Sequence, residues 1–298
     1  MADALPLSTP PRKILLATDL SARSDRALDR ATQLARQWQA SLIVVHALEN
    51  QTVAIRSPYY EDLPSWRRPP DPANAVERQI RRDIREPVSD LRIIVTQGEA
   101  AETILEIAQQ EECDLIVVGA ARDQGLGRIN LGRTVEYLIR RAPTSVLVVK
   151  TRPSGAYRHI LVGTDFTDEA RFGLSVATNL FPDAVFAVMH AFDMPYRSLA
   201  ASPQLSQDFS AMEQEEIRAH VRDADVPPAT RAGIVTLIEH GPPEQMIHRY
   251  VVEQNADLTV IGTIGRSMLF HVLIGGHAPR IVDGVPSDVL VVRFPNTK

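Results

Sequence analysis

The sequence predicts an α/β protein made of two tandem three-layer sandwiches, each built on a mostly parallel five-stranded sheet. Three observations predict it. At 298 residues the chain is about twice the ~150 residues that serve as a prior for one domain, so it can bury two cores. Its two halves match block by block, the signature of a repeated unit. Within each half, short runs of Val, Ile and Leu alternate with longer segments of helical period, the pattern of strands joined by right-handed helical crossovers.

The blocks keep one order. KILLATDLS from Lys13 is answered by HILVGTDFT from His159, which pairs Asp19 with Asp165, 146 residues on. LIVVHA ending at Ala47 matches FAVMHA ending at Ala191 and sets His46 against His190. VTQGEAAETI, CDLIVVGA and APTSVLVVK then match IEHGPPEQMI, ADLTVIGT and VPSDVLVVR at a constant offset. Gly98 to Gly241, Asp114 to Asp257, Gly119 to Gly262 and Pro143 to Pro286 are all 143 apart, so insertions and deletions are confined to the early part of each half.

Each element follows from its own pattern. The runs IVV, LRIIV, DLIVVG and SVLVV are apolar without a break, as burial on both faces of a parallel sheet requires. Leu28, Ala31, Ala35 and Trp38 mark one buried helical stripe, and Ala170, Leu174, Ala177 and Phe181 its counterpart. Two stretches read as exposed loops, Ser57 to Pro72 and Asp193 to Gln207. TRPSGAY, Thr151 to Tyr157, carries turn formers and no periodicity. It reads as the linker 151–157 between units over 1–150 and 158–298.

Composition narrows the function classes. The chain is 44% hydrophobic and 23% charged, with no apolar run long enough to cross a bilayer, so a membrane protein is not expected. Lys and Arg against Asp and Glu stand at 20 to 20 through Lys150 and 12 to 17 afterwards; neither half carries the basic footprint of a nucleic-acid binder. The single Cys113 excludes a disulfide framework and reads as an inert thiol, and MADALPLSTPPRK lacks the features of a signal peptide, so a cytoplasmic address is expected. The eight histidines form no H-E-x-x-H and no zinc-like pair; His46 and His190 read as half-buried structural residues. No G-x-S-x-G elbow or Walker A lysine is present, so covalent catalysis is unsupported.

An Asp closing the first strand, followed by Ser or Thr opening a helix, sits where open α/β sheets bind ligands, beyond the carboxyl ends of the strands. ATDLS and GTDFT both do this. With the His-Ala strand ends, and D-L-x-V-x-G followed by a glycine-containing loop, the set resembles the universal stress protein family in its tandem two-domain form, over nearly the whole chain. The resemblance implies Rossmann-like, flavodoxin-like units, a homo-oligomer and a stress-response role. In ATP-binding members it implies a G-x-x-G-x9-G-[ST] signature after the fourth strand.

The second copy reads GTIGRSMLFHVLIGG, in which Gly262, Gly265 and Gly275 keep the spacing and Gly276 replaces the final Ser or Thr. That exchange removes a hydroxyl donor and keeps the backbone amide. Such glycines let a phosphate approach main-chain N–H groups at a helix N-terminus. By resemblance, Gly163, Thr164 and Asp165 line the adenine and ribose end, with the Ala191 backbone against adenine; Gly262, Gly265, Arg266, Gly275, Gly276 and His277 face the phosphates. Asp165 would hold ribose hydroxyls or a phosphate-bound Mg²⁺, against the plainer reading that such a carboxylate caps the next helix.

The first copy reads GAARDQGLGRINLGR, with Arg122 at the second glycine and Arg133 at the Ser/Thr position. Two readings stay open. Arg122 fills a degenerate cleft and pairs with a carboxylate such as Asp19, or Asp19, Gly119, Arg122, Gly132 and Arg133 form a second site for a different anion.

The expected function is a cytoplasmic stress-response protein that binds ATP or a related adenine nucleotide in its second domain and acts as a sensor or adaptor toward a protein partner. One alternative is a nucleotide-free interaction module with two vestigial clefts, in which, by analogy with the dimers of the family it resembles, Val146 to Val149 and Val289 to Val292 pair and the halves imitate a homodimer. Another is a slow ATP hydrolase, for which no dedicated base is visible. GTDFT lacks the S-G-G-x-D-S loop that an ATP pyrophosphatase would require.

Overall fold

Repeat 1 runs through β1 (Lys13–Ala17), α1 (Ala22–Trp38), β2 (Ser41–Leu48), α2 (Pro72–Asp83), β3 (Leu91–Gln97), α3 (Ala100–Gln110) and β4 (Leu115–Gly119). A short hairpin, β5 (Ala121–Arg122) and β6 (Ile129–Asn130), then leads to α4 (Arg133–Arg141) and β7 (Ser145–Val149). Repeat 2 contributes β8 (His159–Gly163), α5 (Asp168–Leu180), β9 (Val185–Phe192), α6 (Pro203–Asp223), α7 (Pro228–Ala232), β10 (Val235–His240), α8 (Pro243–Gln254), β11 (Leu258–Gly262), α9 (His277–Gly284) and β12 (Asp288–Val292). The computed structural model describes residues 9–48, 71–122, 129–130, 132–192, 203–262 and 277–295. The loop expected through Gln207 ends sooner, because Pro203 opens α6 with a φ already suited to a first helical turn.

The two expected five-stranded sheets are fused. Each repeat supplies five parallel strands, and the whole forms one sheet in the order β10-β9-β8-β11-β12-β7-β4-β1-β2-β3. The join is the antiparallel pair β7 and β12, with Val146 opposite Val291, Leu147 opposite Leu290 and Val148 opposite Val289. Both strands are buried along their whole length, so the unbroken apolar runs VLVV are explained by cover on both faces. Alternate strand residues feed two core layers. Ile14, Leu16, Leu147 and Leu290 meet α1, α2, α5 and α6, while Leu15, Ile116, Val148 and Val289 meet α3, α4, α8 and α9.

Two motif residues turn out to organise the backbone. Asp114 Oδ2 accepts the N–H groups of Arg12 (2.7 Å) and Lys13 (3.0 Å), and Asp257 Oδ2 those of Arg158 (2.9 Å) and His159 (3.0 Å). These carboxylates tie the start of each fourth strand to the start of its first. Gly98 and Gly241 occupy φ +153° and +151° at equivalent strand-to-helix turns, a region that side chains rarely enter.

The joint obeys a local two-fold symmetry in its hydrogen bonds and breaks it in its charges. Lys150 N–H donates to Asp288 Oδ1 (2.8 Å), and its equivalent Arg293 N–H donates to Ser145 Oγ (3.0 Å). The Lys150 ammonium caps α9 through the carbonyls of Val282 and Val285, and the Arg293 guanidinium reaches the Ile139 carbonyl of α4 (3.5 Å). Cations at helix C-termini complement the macrodipole. The Asp288 side gathers far more, since Thr151 donates its N–H and hydroxyl to Oδ1 (both 2.9 Å), Tyr157 OH donates to Oδ2 (2.6 Å) and Arg30 Nε stands 3.6 Å away. The Arg30 guanidinium also lies over the Tyr157 ring at 4.0 Å. Burial first, then the Asp288 charge, pushes the Tyr157 hydroxyl well above its ordinary value, so it stays a donor. The segment read as a linker is thus bonded into the joint at both of its ends.

Candidate functional site

Each repeat places its first strand between its second and fourth, so β8 lies between β9 and β11, and β1 between β2 and β4. The chain leaves β8 toward α5 on one face and leaves β11 toward α9 on the other, which opens a crevice at the carboxyl edge of the strands. Because β7 and β12 run antiparallel, the carboxyl edges of the repeats lie on opposite sides of the fused sheet. The two clefts therefore open in opposite directions.

In repeat 2 the structure brings Gly163 and Thr164 at the end of β8, Asp165 just after it, Ala191 near the end of β9 and Gly262 at the end of β11 to this edge. Helix α9, which begins at His277, runs from the same edge. Gly265, Arg266, Gly275 and Gly276 lie outside the described residues. Gly262 has a packing reason of its own, since a Cβ there would sit 3.0 Å from the Glu169 carbonyl oxygen of α5. Gly119 is equivalent, 2.7 Å from the Arg23 carbonyl oxygen of α1. In repeat 1, Asp19 follows β1, Gly132 is the N-cap of α4 and Arg133 is its exposed first residue; the Arg122 side chain is outside the described set.

The turn after the first strand is the same in both repeats up to a point. The hydroxyls of Thr18 and Thr164 accept the N–H of Leu20 (3.1 Å) and Phe166 (3.0 Å), which take up left-handed φ values of 60° and 66°. His46 Nδ1 meets the Thr18 carbonyl at 2.9 Å and His190 Nδ1 the Thr164 carbonyl at 2.8 Å, so both half-buried histidines pin the turn from the neighbouring strand. A protonated Nδ1 is the tautomer these contacts require.

The carboxylates then diverge. Asp19 Oδ1 accepts the Ser21 N–H (3.0 Å), the Ser21 hydroxyl and the Ser24 hydroxyl (2.6 Å), while Ser24 Oγ accepts the Asp19 N–H (3.2 Å) and Arg23 Nε stands 4.0 Å from Oδ2. Burial raises this carboxyl, but the Ser21 and Ser24 hydrogen bonds and the Arg23 charge outweigh it and hold it below its ordinary value. Among the described residues the cation beside Asp19 is Arg23, from the first turn of α1; the expected pairing with Arg122 falls on a side chain outside the described residues. At Asp165, Oδ1 accepts the Thr167 N–H (3.2 Å) and hydroxyl, and Thr167 Oγ1 in turn caps α5 at Ala170 N–H (3.3 Å). Ala170 and Glu169 stand where repeat 1 has Ser24 and Arg23, and Oδ2 of Asp165 has no hydrogen-bond partner among the described residues.

A third contributor was not anticipated. His220, on α6 and only 4% exposed, meets the Thr164 hydroxyl through Nε2 at 2.9 Å. The Phe166 ring lies tilted on His190 (centroids 4.3 Å) and edge-on to His220 (5.7 Å). The sequence signal for His220 is weak, because it falls within the part of the repeat where the offset between halves shifts. Among the described residues no group of His, Cys, Asp and Glu is arranged to hold a metal ion, and no helix is long and apolar enough to cross a membrane. A groove of about 480 Å³ between α8 and α9, lined by Glu244, His248, Arg249, Val252 and Arg280, contains none of the motif residues.

A model of the universal stress protein family matches the chain twice, over residues 11–150 and 156–293. A universal stress protein of Thermus aquaticus is 32% identical over 139 residues, which are 47% of this chain and 98% of that one. A functionally unknown protein of Pseudomonas aeruginosa PAO1 shares the fold across both repeats, covering 97% of this chain and 94% of its own at a TM-score of 0.69 and 23% identity. A universal stress protein solved in complex with cAMP is 27% identical and covers 47% of this chain and 98% of its own, at a TM-score of 0.36. The chain belongs to the universal stress protein family, with two copies of the family's unit in tandem.

Proposed function

We propose that this universal stress protein binds ATP or a related adenine nucleotide in the cleft of repeat 2, and that occupancy of that cleft sets its activity as a sensor or adaptor. The observation that carries the reading is the contrast between the two aspartates. Asp19 Oδ1 takes three hydrogen bonds from Ser21 and Ser24 and Arg23 stands 4.0 Å from its Oδ2, whereas Asp165 Oδ1 takes only those of Thr167 and Oδ2 has neither hydrogen bond nor ion pair among the described residues. That oxygen suits ribose hydroxyls or a phosphate-bound Mg²⁺. The glycine spacing from Gly262 to Gly275 and the edge from which α9 starts support phosphates on the facing side of the crevice.

A nucleotide works as a switch only by binding one state better than another. The fused joint restricts what those states are. In this chain β7 and β12 pair with each other, so a homo-oligomer has to use other surfaces; among the described residues the sheet ends at β3 and β10.

Calorimetric titration of ATP into the full chain tests the assignment. One site per chain is expected, with Asp165→Asn weakening it about tenfold, as loss of one charge-assisted contact implies, and Asp19→Asn leaving it within about twofold. Equal affinity in wild type and Asp165→Asn would remove the assignment, and absence of ATP heat would favour the nucleotide-free interaction module.

A further inference from the structure

We propose that His220 is a positioning residue for the cleft of repeat 2, holding the Thr164–Phe166 turn from below so that the Asp165 carboxylate remains available to a ligand. The proposal deepens the nucleotide reading and rests on it for the identity of the ligand, though not for the role of the histidine.

The two repeats face the same mechanical problem. Each must hold a turn whose central residue, Leu20 or Phe166, has a left-handed backbone that an L side chain adopts at a cost of order 1 kcal/mol or more. Repeat 1 holds it through the carboxylate: Ser24 Oγ accepts the Asp19 N–H and donates to Asp19 Oδ1, clasping the turn to the first turn of α1. Repeat 2 has Ala170 at the position of Ser24 and lacks that clasp. Its substitute comes from another element. His220 reaches from α6 to the Thr164 hydroxyl, the oxygen that also accepts the Phe166 N–H, and so fixes the rotamer on which the turn depends. The Phe166 ring, held between His190 and His220, adds a second restraint. Neither restraint touches Asp165 Oδ2.

The chemistry of the imidazole suits a fixed strut. Burial foremost, then the charges of Arg171 and His190 against the opposing pull of Asp165 and Asp168, brings its pKa down to about 4. The ring is neutral at physiological pH and carries one N–H. Its other nitrogen, Nδ1, is buried with no partner among the described residues, a cost accepted for the contact at Nε2. Repeat 1 has no histidine in α2, the equivalent helix.

Hydrogen exchange of the Phe166 amide in the ligand-free protein, followed by ATP titration of the same samples, tests both halves of the proposal. His220→Leu removes the strut, Thr164→Val removes its partner by a change of equal size, and His220→Gln keeps a polar nitrogen near the position of Nε2. Loss of one buried hydrogen bond predicts Phe166 exchange and ATP dissociation constants each raised about tenfold in His220→Leu and Thr164→Val. The His220→Gln protein should stay within about threefold of wild type, and the Leu20 amide of repeat 1 should be unchanged in all three. A loss due only to packing would not be rescued by Gln. Unchanged Phe166 exchange in both Leu and Val variants overturns the proposal, as does faster exchange with undiminished ATP affinity. Faster exchange in a protein whose wild type takes up no ATP supports the strut and removes the nucleotide reading instead.

Discussion

The two repeats share a fold and differ in where each spends its polar contacts. Repeat 1 spends them locally: Ser21 and Ser24 close on Oδ1 of Asp19, and the Arg23 charge stands beside Oδ2. Repeat 2 leaves its acid half engaged, stabilises the same turn through His220, and places its strongest polar cluster at the joint, where Asp288 gathers Lys150, Thr151, Tyr157 and Arg30. One copy is therefore organised around its own stability. The other leaves one oxygen of Asp165 unbonded among the described residues and supplies the acid of the joint.

The largest effect is expected at the joint, where the symmetry of the backbone can be set against the asymmetry of the charges. Asp288→Ser makes both sides alike, leaving the buried Arg30 and Tyr157 without their shared acceptor. Removing one partner from a buried ionic cluster costs about 3–5 kcal/mol, whereas Ser145→Ala at the equivalent position gives up one neutral hydrogen bond, about 1 kcal/mol. Urea unfolding of both variants checks the difference. Equal losses would mean that the charges on the Asp288 side contribute nothing beyond the shared backbone contacts.

Next in size is the pH dependence of stability contributed by His220. Its folded pKa, near 4, lies below the ordinary 6.5, so the unfolded chain takes up a proton first as pH falls. The sign follows: this contribution to stability is full above pH 6.5 and is lost as the pH falls from 6.5 toward 4, by up to about 3 kcal/mol. Arg171, His190, Asp165 and Asp168 face the ring and take part in setting the window. Asp19, whose carboxyl is held below 3.8, titrates beneath it. Stability measured at pH 7.5 and pH 4.5 should fall less in His220→Gln than in wild type. Equal falls would show that the ring is not kept neutral.

Much of this was legible before the structure, and the rest was hidden for physical reasons. Unbroken apolar runs and the constant offset of 143 residues announced two parallel five-stranded units; the pairing of the two VLVV strands came only from the family resemblance, as part of the nucleotide-free alternative, and the register of β7 against β12 bears it out. The sequence contrast between the copies rested on Gly265 against Arg122; that ATDLSARS and GTDFTDEA also differ at the residues around the aspartates gains meaning only once α1 and α5 bring those side chains to the carboxylates. The joint was not legible. Arg30 lies next to the apolar stripe of α1 as a helical arginine usually does, and only the pairing of β7 with β12 brings Asp288 within 3.6 Å of it. Asp288 itself, a carboxylate at the start of an apolar strand in one copy and a serine in the other, was the available clue. His220 escaped because its contact depends on α6, which follows a segment of different length in the two repeats.

A transplant probes the clefts on a smaller scale. Ala170→Ser supplies repeat 2 with the equivalent of Ser24, at a place where repeat 1 accommodates that hydroxyl beside the same close-packed glycine. The new hydroxyl should engage Asp165 and weaken ATP binding about fivefold, with little change in Tm. Unchanged affinity would mean that the Asp165 carboxylate is not what the ligand meets, and the contrast between the clefts would have to be sought elsewhere.

The smallest effect concerns a position where the repeats differ without consequence. Cys113 is 7% exposed and sits where repeat 2 has Ala256, in the same core layer. Burial, opposed only in part by Lys13, pushes its thiol up to about 12, so the native protein holds it as an unreactive, protonated sulfur. Cys113→Ala reproduces what repeat 2 already carries and removes one buried sulfur, at a cost of about 1 kcal/mol or less by unfolding titration. Native Cys113 should resist a disulfide reagent until the chain unfolds. Rapid labelling of the folded protein would show that repeat 1 opens locally around α3 and β4, and that the two repeats differ in mobility as well as in chemistry.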